Sequence, residues 1–283
     1  MEIYSVDKRN SIYIFKKDSE NYIRFCPKRG GIITNWVSRS ESILYFDENR
    51  FFDSSKSIRG GIPILFPLCG NLACNQSIFG DNFQPMPQHG FARDLEWEFF
   101  LNENNKSLSL FLTENNKTKQ YYPFKFNLQI DVYLENCSIN FDIFIKNNSN
   151  YNLPLNFGMH PYFNISNYSN IKFLNYPINC HNQKTNKIDI TTNIFDQIST
   201  GIDILIYSLG TISFNDFGYK RKIILKSPPP FDLSVIWTDP PRKMVCVEPW
   251  TSPRDSLIDG FRKIIISEMS LQTLSASIEV DNL

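Results

Sequence analysis

The sequence has little that would commit it to the commoner kinds of binding or catalysis. Lysine plus arginine equals aspartate plus glutamate at 29 each, so no long-range field gathers nucleic acid or an anionic membrane, and any phosphate must be recognised locally. No apolar run approaches the roughly 18–20 residues that span a bilayer, and the opening MEIYSVDKRN lacks the apolar stretch of a leader. A soluble, cytoplasmic protein is the expectation. Neither GxGxxG nor GxxxxGK[ST] occurs, and the RGG triplets beginning at Arg29 and Arg59 fit neither phosphate-cradling loop. HExxH and the G-x-S-x-G elbow of a serine nucleophile are also missing. Six cysteines (Cys26, Cys69, Cys74, Cys137, Cys180, Cys246) are scattered through 283 residues, a chain too long for a disulfide-stapled miniprotein, so buried free thiols are expected. Cys69, Cys74 and His89 lack the spacing and fourth ligand of a usual zinc site.

What is present points to sheets. Aromatic residues make up 14% of the chain, with 24 Phe and 13 Tyr, and short apolar runs are separated by Asn, Ser and Gly clusters. SLSLFLT and SINFDIFIKN alternate apolar and polar positions, which puts Ile139, Phe141, Ile143 and Ile145 on one covered face. RKIIISEMSLQTLSASIEV reads as two strands, the last a closing strand of the main sheet system. Helix should be scarce. No linker or fixed-period repeat divides the chain, so residues 1–283 are expected to form one β-domain.

Three segments differ in character: residues 51–94, rich in Gly and Pro; SNYNLPLNFGMHPYFNISNYSN; and WTDPPRKMVCVEPWTSPRDSL. Loops carrying this many large apolar residues are not simple linkers. Of only three histidines, His160 stands before Pro161, and Glu248 before Pro249 and Trp250. Proline fixes its own φ and restricts the residue before it, so both side chains start from a narrowed set of orientations. That suits a site, and also an ordinary strand-end turn. His181, in an Asn-rich excursion, reads as an ordinary exposed histidine.

IRGGIPILFP, PQHGFARD, GMHPYF and CVEPW, in that order across residues 58–250 and with a fifth block in TGIDILIY, resemble the signature of the aldose 1-epimerase (galactose mutarotase) superfamily, and of its hexose-6-phosphate 1-epimerase branch in particular. The resemblance implies a large antiparallel β-sandwich with a pocket on one concave sheet face, and no metal or organic cofactor. It implies that His160 is the general acid and Glu248 the general base. His89 would bind the sugar near its ring oxygen or an adjacent hydroxyl, Asp203 would accept sugar hydroxyls, and Arg59 and Arg93 match the paired arginines of the phosphosugar branch. Two positions depart from the pattern: Ile-Leu-Ile follows Asp203 where many relatives have an arginine, and Pro-Trp follows Glu248 where Pro-Gly is more usual.

Exchange of α and β anomers opens a hemiacetal, so two proton carriers are the minimum. A neighbouring carboxylate is expected to raise the histidine above its reference value of about 6.5 and make it a better acid. Two guanidinium forks would hold phosphate oxygens through charge-assisted contacts, and Arg242, Lys243 or Arg254 could complete the anion site. Trp250 offers either a stacking face for a sugar or a wall of the pocket. The expected partner is a small-molecule sugar or sugar phosphate, with no nucleic acid or membrane, and the expected state a monomer or weak homodimer. An epimerase for unphosphorylated hexoses and a non-catalytic carbohydrate-binding protein are the alternatives; a glycoside hydrolase would want two carboxylates.

Overall fold

A computed structural model of the chain describes residues 1–53, 55–73 and 77–283, which leaves Cys74 outside the described residues. The longest strands are those whose alternation is plainest. In β10 (Ser138–Asn147), Ile139, Phe141, Ile143 and Ile145 are buried while the residues between them are partly exposed. This strand sits between β9 (Phe126–Leu134) and β23 (Leu271–Asn282), with Phe141 opposite Val132 on one side and Ala276 on the other. The closing strand therefore lies inside its sheet rather than at an edge.

That eight-stranded antiparallel sheet runs β14 (Ile171–Leu174), β18 (Thr211–Asp216), β19 (Arg221–Lys226), β23, β10, β9, β8 (Ser107–Thr113) and β7 (Glu98–Asn102). A second sheet runs β16 (Lys187–Ile190), β15 (Asn179–Asn182), β17 (Asp203–Tyr207), β20 (Leu233–Trp237), β21 (Met244–Trp250), β12 (Gly158–Met159) and β6 (Ile64–Leu65), with β13 (Tyr162–Asn164) also paired to β21. One continuous apolar core fills the space between them, with Ile130 and Ile143 from the first sheet and Ile204, Ile236, Val245 and Val247 from the second. Each such side chain taken out of water stabilises the sandwich by roughly 1.5–3 kcal/mol. Five N-terminal strands, β1 (Glu2–Asp7), β2 (Ile12–Lys16), β3 (Tyr22–Cys26), β4 (Ile32–Ser38) and β5 (Glu41–Ser42), form a further sheet, and β11 (Leu153–Leu155) pairs with β22 (Ile264–Ile266).

The α-helices among the described residues are single turns of four or five residues, and none is long and apolar enough to cross a membrane. The described residues within 51–94 are mostly irregular backbone, as expected, apart from Phe51 at the end of a helical turn, β6 and a turn of 3₁₀ helix at Ala92–Asp94. Cys26, Cys69, Cys180 and Cys246 are buried free thiols, and Cys137 is free and partly exposed.

Candidate active site

Strand alternation decides which side chains of β21 meet the core. Val245 and Val247 face the space between the sheets, so Met244, Cys246, Glu248 and Trp250 share the opposite face. The register then supplies Glu248 with its neighbours. Gly158 pairs with Trp250 and Tyr162 with Cys246, which sets His160 across from Glu248. His160 Nε2 lies 3.2 Å from Glu248 Oε1. On the other flank Val235 pairs with Glu248 and Trp237 with Cys246, and Asp203 pairs with Trp237 one strand further on. A Cβ on Gly158 would sit 2.8 Å from Cys69 Sγ and 3.0 Å from Trp250 Cδ1, so the glycine makes room for the indole.

The loop segments are tied onto this sheet by backbone bonds. The amide of His160 donates to the carbonyl of Pro63 at 3.0 Å, and that of Tyr162 to Gly61 at 2.9 Å, which brings Arg59 to the rim. Gly30, at φ +77°, packs so closely on the Arg93 carbonyl that a Cβ would come within 2.3 Å of its oxygen; the first RGG thus supports the turn that carries Arg93. His89 takes a left-handed φ of 65°, and its Nδ1 accepts a hydrogen bond from the Gly70 amide at 3.1 Å. A neutral imidazole whose Nδ1 accepts carries its proton on Nε2, so His89 offers a donor.

These residues enclose a cavity of about 250 Å³ lined by His89, Arg93, His160, Asp203, Glu248 and Trp250, with Arg59 and Arg254 also on its wall. The candidate catalytic pair and the five candidate substrate-binding residues, His89, Asp203, Arg59, Arg93 and Trp250, are therefore on one cavity. Arg254 joins them, its Nη2 3.1 Å from Asp203 Oδ2, while Arg242 turns away to Asp239 at 2.9 Å and Asp47 at 3.8 Å, and Lys243 does not line the cavity. Gln88, Tyr162, Val235, Trp237 and Ser57 complete the wall and went unnoticed in the sequence. Gln88 and Tyr162 stand in the quoted blocks beside His89 and His160, and that adjacency was the available signal; Val235 and Trp237 arrive through long-range pairing.

Trp250 is wall rather than stacking platform. It is 1% exposed, packs with Leu65, Leu205, Leu233 and Val235, and donates its indole N–H to Glu248 Oε2 at 3.1 Å. His160 is held from its own side, stacked on Tyr162 with centroids 4.5 Å apart.

Burial governs the protonation of the pair. Desolvation, reinforced by the Arg93 and Arg59 charges, lowers His160 to about 3, and desolvation with the nearby Asp203 charge raises Glu248 well above the ordinary carboxylate range. The expected upward shift of His160 is thus reversed, because both partners lose their water and neither bears charge cheaply. A neutral imidazole and a carboxylic acid hold as many protons as an imidazolium and a carboxylate, so the acid–base state is one proton transfer away across 3.2 Å. Burial also lowers His89, with the His160 and Arg93 charges adding to the effect.

The cationic side is less balanced. Arg59 shares Asp239 (3.2 Å) with Arg242 and lies over the Trp237 ring. Arg93, largely buried, has Asp94 at 3.6 Å as its one charged partner among the described residues, and Asp94 is half exposed.

Two facing antiparallel sheets with a polar cavity sunk into the open face of one make this a galactose mutarotase-like β-sandwich. Solved structures with this fold include the Slr1438 protein of Synechocystis sp. PCC 6803, with a TM-score of 0.90 and 30% identity, covering 99% of this chain and 100% of that one. A galactose mutarotase-like protein of Clostridium acetobutylicum follows the same fold at a TM-score of 0.81 and 15% identity, over 100% and 99% of the two chains. A galactose mutarotase related enzyme of Lactobacillus acidophilus does so at 0.77 and 19%, over 96% and 97%. The sequence matches the aldose 1-epimerase family over residues 18–263, and the chain belongs to that family. A curated relative, a candidate glucose-6-phosphate 1-epimerase of Escherichia coli (strain K12), is 33% identical over 70 residues, a match covering 24% of this chain and 21% of the relative's own length.

Proposed function

We propose that the protein, acting as a single β-sandwich domain, interconverts the α and β anomers of an aldohexose 6-phosphate, glucose 6-phosphate being the substrate to test first. The observation that carries the phosphate half of this reading is Arg93, a largely buried guanidinium whose one charged partner among the described residues is the half-exposed Asp94 at 3.6 Å. A desolvated cation without a close counter-ion is costly, and a phosphate dianion arriving with the substrate would relieve that cost. Arg59 stands on the same cavity wall, and the name of the E. coli relative agrees. A cavity of about 250 Å³ is a little below the usual range for drug-sized ligands, roughly 300–1,000 Å³, and suits a monosaccharide.

In the proposed mechanism Glu248 takes the proton of the anomeric hydroxyl while His160 gives one to the ring oxygen. The C1–O5 bond breaks, leaving an aldehyde at C1 and a hydroxyl at C5. Rotation about C1–C2 presents the other carbonyl face; O5 attacks it, its proton returns to His160, and Glu248 returns a proton to the new anomeric oxygen. The enzyme ends with the protons it began with. His89 Nε2–H would donate to a sugar oxygen, and Asp203, oriented by Gln183 at 2.7 Å and Arg254 at 3.1 Å, would accept from a hydroxyl. Positioned proton transfer of this kind contributes about 10²–10⁴-fold.

The test is anomer exchange followed by NMR or polarimetry for parent, H160A and E248Q proteins with glucose 6-phosphate and with glucose. Both variants should fold and lose most turnover, and the parent should prefer the phosphorylated sugar. Near-parent rates in both variants would remove the acid–base assignment. Equal parent efficiencies on the two sugars would favour a free-aldose enzyme, and binding without exchange across a panel of aldoses and their phosphates would favour a carbohydrate-binding protein.

A further inference from the structure

Behind the acid–base pair lies a donor that the epimerisation does not use. Cys246 precedes Glu248 by two residues on β21 and faces the same way, and a ring nitrogen of His160, Cys246 Sγ and a Glu248 carboxylate oxygen all lie within 4.8 Å of one another. The thiol is fully buried, its sulfur 3.8 Å from Met244 Sδ. It is not part of the cavity wall; it sits under the two residues that are. We infer that His160, Cys246 and Glu248 form a binding site for one thiophilic divalent cation of the zinc type, and that its occupancy reversibly blocks the sugar chemistry. The inhibitory half of this inference rests on the proposed roles of His160 and Glu248; the binding half does not.

The donor set selects the metal. Imidazole nitrogen, thiolate sulfur and carboxylate oxygen are all zinc ligands at roughly 2.0–2.3 Å, and three of them leave the fourth tetrahedral position open. Here that position would face the cavity. Calcium and magnesium want six or more oxygens or an octahedral shell, and a single carboxylate with a sulfur beside it offers neither. Bond lengths of that size place tetrahedral ligand atoms about 3.5 Å apart. His160 and Glu248, at 3.2 Å, are already that close, and Cys246 would draw in by about an ångström.

The surroundings suit the purpose. Trp250 occupies Glu248 Oε2 and leaves Oε1 for the metal, while the Tyr162 stack fixes the imidazole plane; ordered supports of this kind are what orient metal ligands. Carboxylate and thiolate bind as anions, so a dication balances their charge and adds none to a cavity that already holds Arg59, Arg93 and Arg254. The metal takes the imidazole lone pair and the carboxylate oxygen through which protons would move. Zinc should therefore act as a chelator-reversible inhibitor.

Cobalt(II), whose thiolate complexes absorb in the near ultraviolet, reads binding without turnover. The expected result is one Co²⁺ per chain with a thiolate charge-transfer band, displaced by Zn²⁺, and a band absent from C246S and C246A proteins that keep the parent far-ultraviolet spectrum. H160A should weaken Co²⁺ binding at least tenfold, which keeps the inference open to refutation should the Cys246 variants not fold. Zn²⁺ should inhibit anomer exchange by the parent, EDTA should restore it, and whatever exchange C246S retains should be insensitive at the same concentration. No stoichiometric Co²⁺ binding, or a band that survives in folded C246S, would overturn the inference, the latter placing the metal on another thiol. A protein inactive on every sugar but binding Co²⁺ in a Cys246-dependent way would sink the epimerase reading and leave the metal site standing; full exchange without Co²⁺ binding would do the reverse.

Discussion

Trp250 and Glu248 are joined by a hydrogen bond from the indole Nε1 to carboxyl Oε2 at 3.1 Å, while the other oxygen lies 3.2 Å from His160 Nε2. One carboxyl is thus divided between a fixed donor and its acid–base partner. The indole bond favours the ionised form of Glu248, against the burial that raises it. W250F should therefore lower kcat about 10–100-fold, the worth of a charge-assisted hydrogen bond of roughly 1.5–3 kcal/mol, and should move the pH–rate profile upward. A fall in activity with an unmoved profile would mean that Trp250 only fills space.

Arg93 bears on both substrate choice and pH. R93Q should lower kcat/KM for glucose 6-phosphate by about one to two powers of ten and affect glucose much less. Its charge helps to lower His160, next after burial, and opposes the rise of Glu248 more weakly than the Trp250 hydrogen bond and Arg254 do. Removing a cation favours protonation of both groups, so both limbs of the kcat/KM profile for glucose should move to higher pH. Assays at matched ionic strength would check this; an equal fractional loss on the two sugars would contradict it.

The buried carboxyl should cost stability, with a defined pH dependence. Glu248 is raised in the folded state above its reference of 4.5, so its contribution is fully present below about pH 4.5 and is lost as pH rises through the folded value. E248Q lacks this loss. Its Tm should match the parent's near pH 4.5 and exceed it increasingly toward pH 8, each pKa unit being worth about 1.4 kcal/mol or roughly 2–4 °C at this size. His160 works in the other direction: lowered from 6.5 to about 3, it withdraws stability as pH falls through that window. Thermal melts across pH would show a constant Tm difference if Glu248 were ionised at no cost.

Asp203 is predicted to hold substrate rather than move protons. D203N should raise KM for both sugars severalfold with a smaller change in kcat, because Gln183 and Arg254 lose the charge that aligns them at the rim. A large fall in kcat at unchanged KM would place Asp203 in the chemistry.

The parts of this molecule written in local pattern were legible. Alternation in SINFDIFIKN gives the covered face of β10, and the quoted blocks give His160 and Glu248. What was hidden depends on long-range register. Nothing local says that Trp237 lands beside Cys246, or that Arg254 rather than Arg242 reaches the cavity when both flank Glu248 in sequence. The direction of the His160 shift was misread for the same reason: a neighbouring carboxylate can be guessed from motifs, but the depth at which both groups lose water follows from the packing of Trp237, Trp250 and Tyr162 around them.

On β21 Val245 and Val247, facing the core, alternate with Met244, Cys246 and Glu248 on the cavity side of the sheet. A strand slipped by a single residue would drive Glu248 between the sheets and expose Val247 to the sugar. A misaligned molecule would therefore be unstable before it was inactive, and proteases that clear loosely folded chains would remove the defective copies. Quality control of the proposed catalytic pair is delegated to the hydrophobic core behind it, and the loops at the rim remain free to change substrate preference without testing that safeguard.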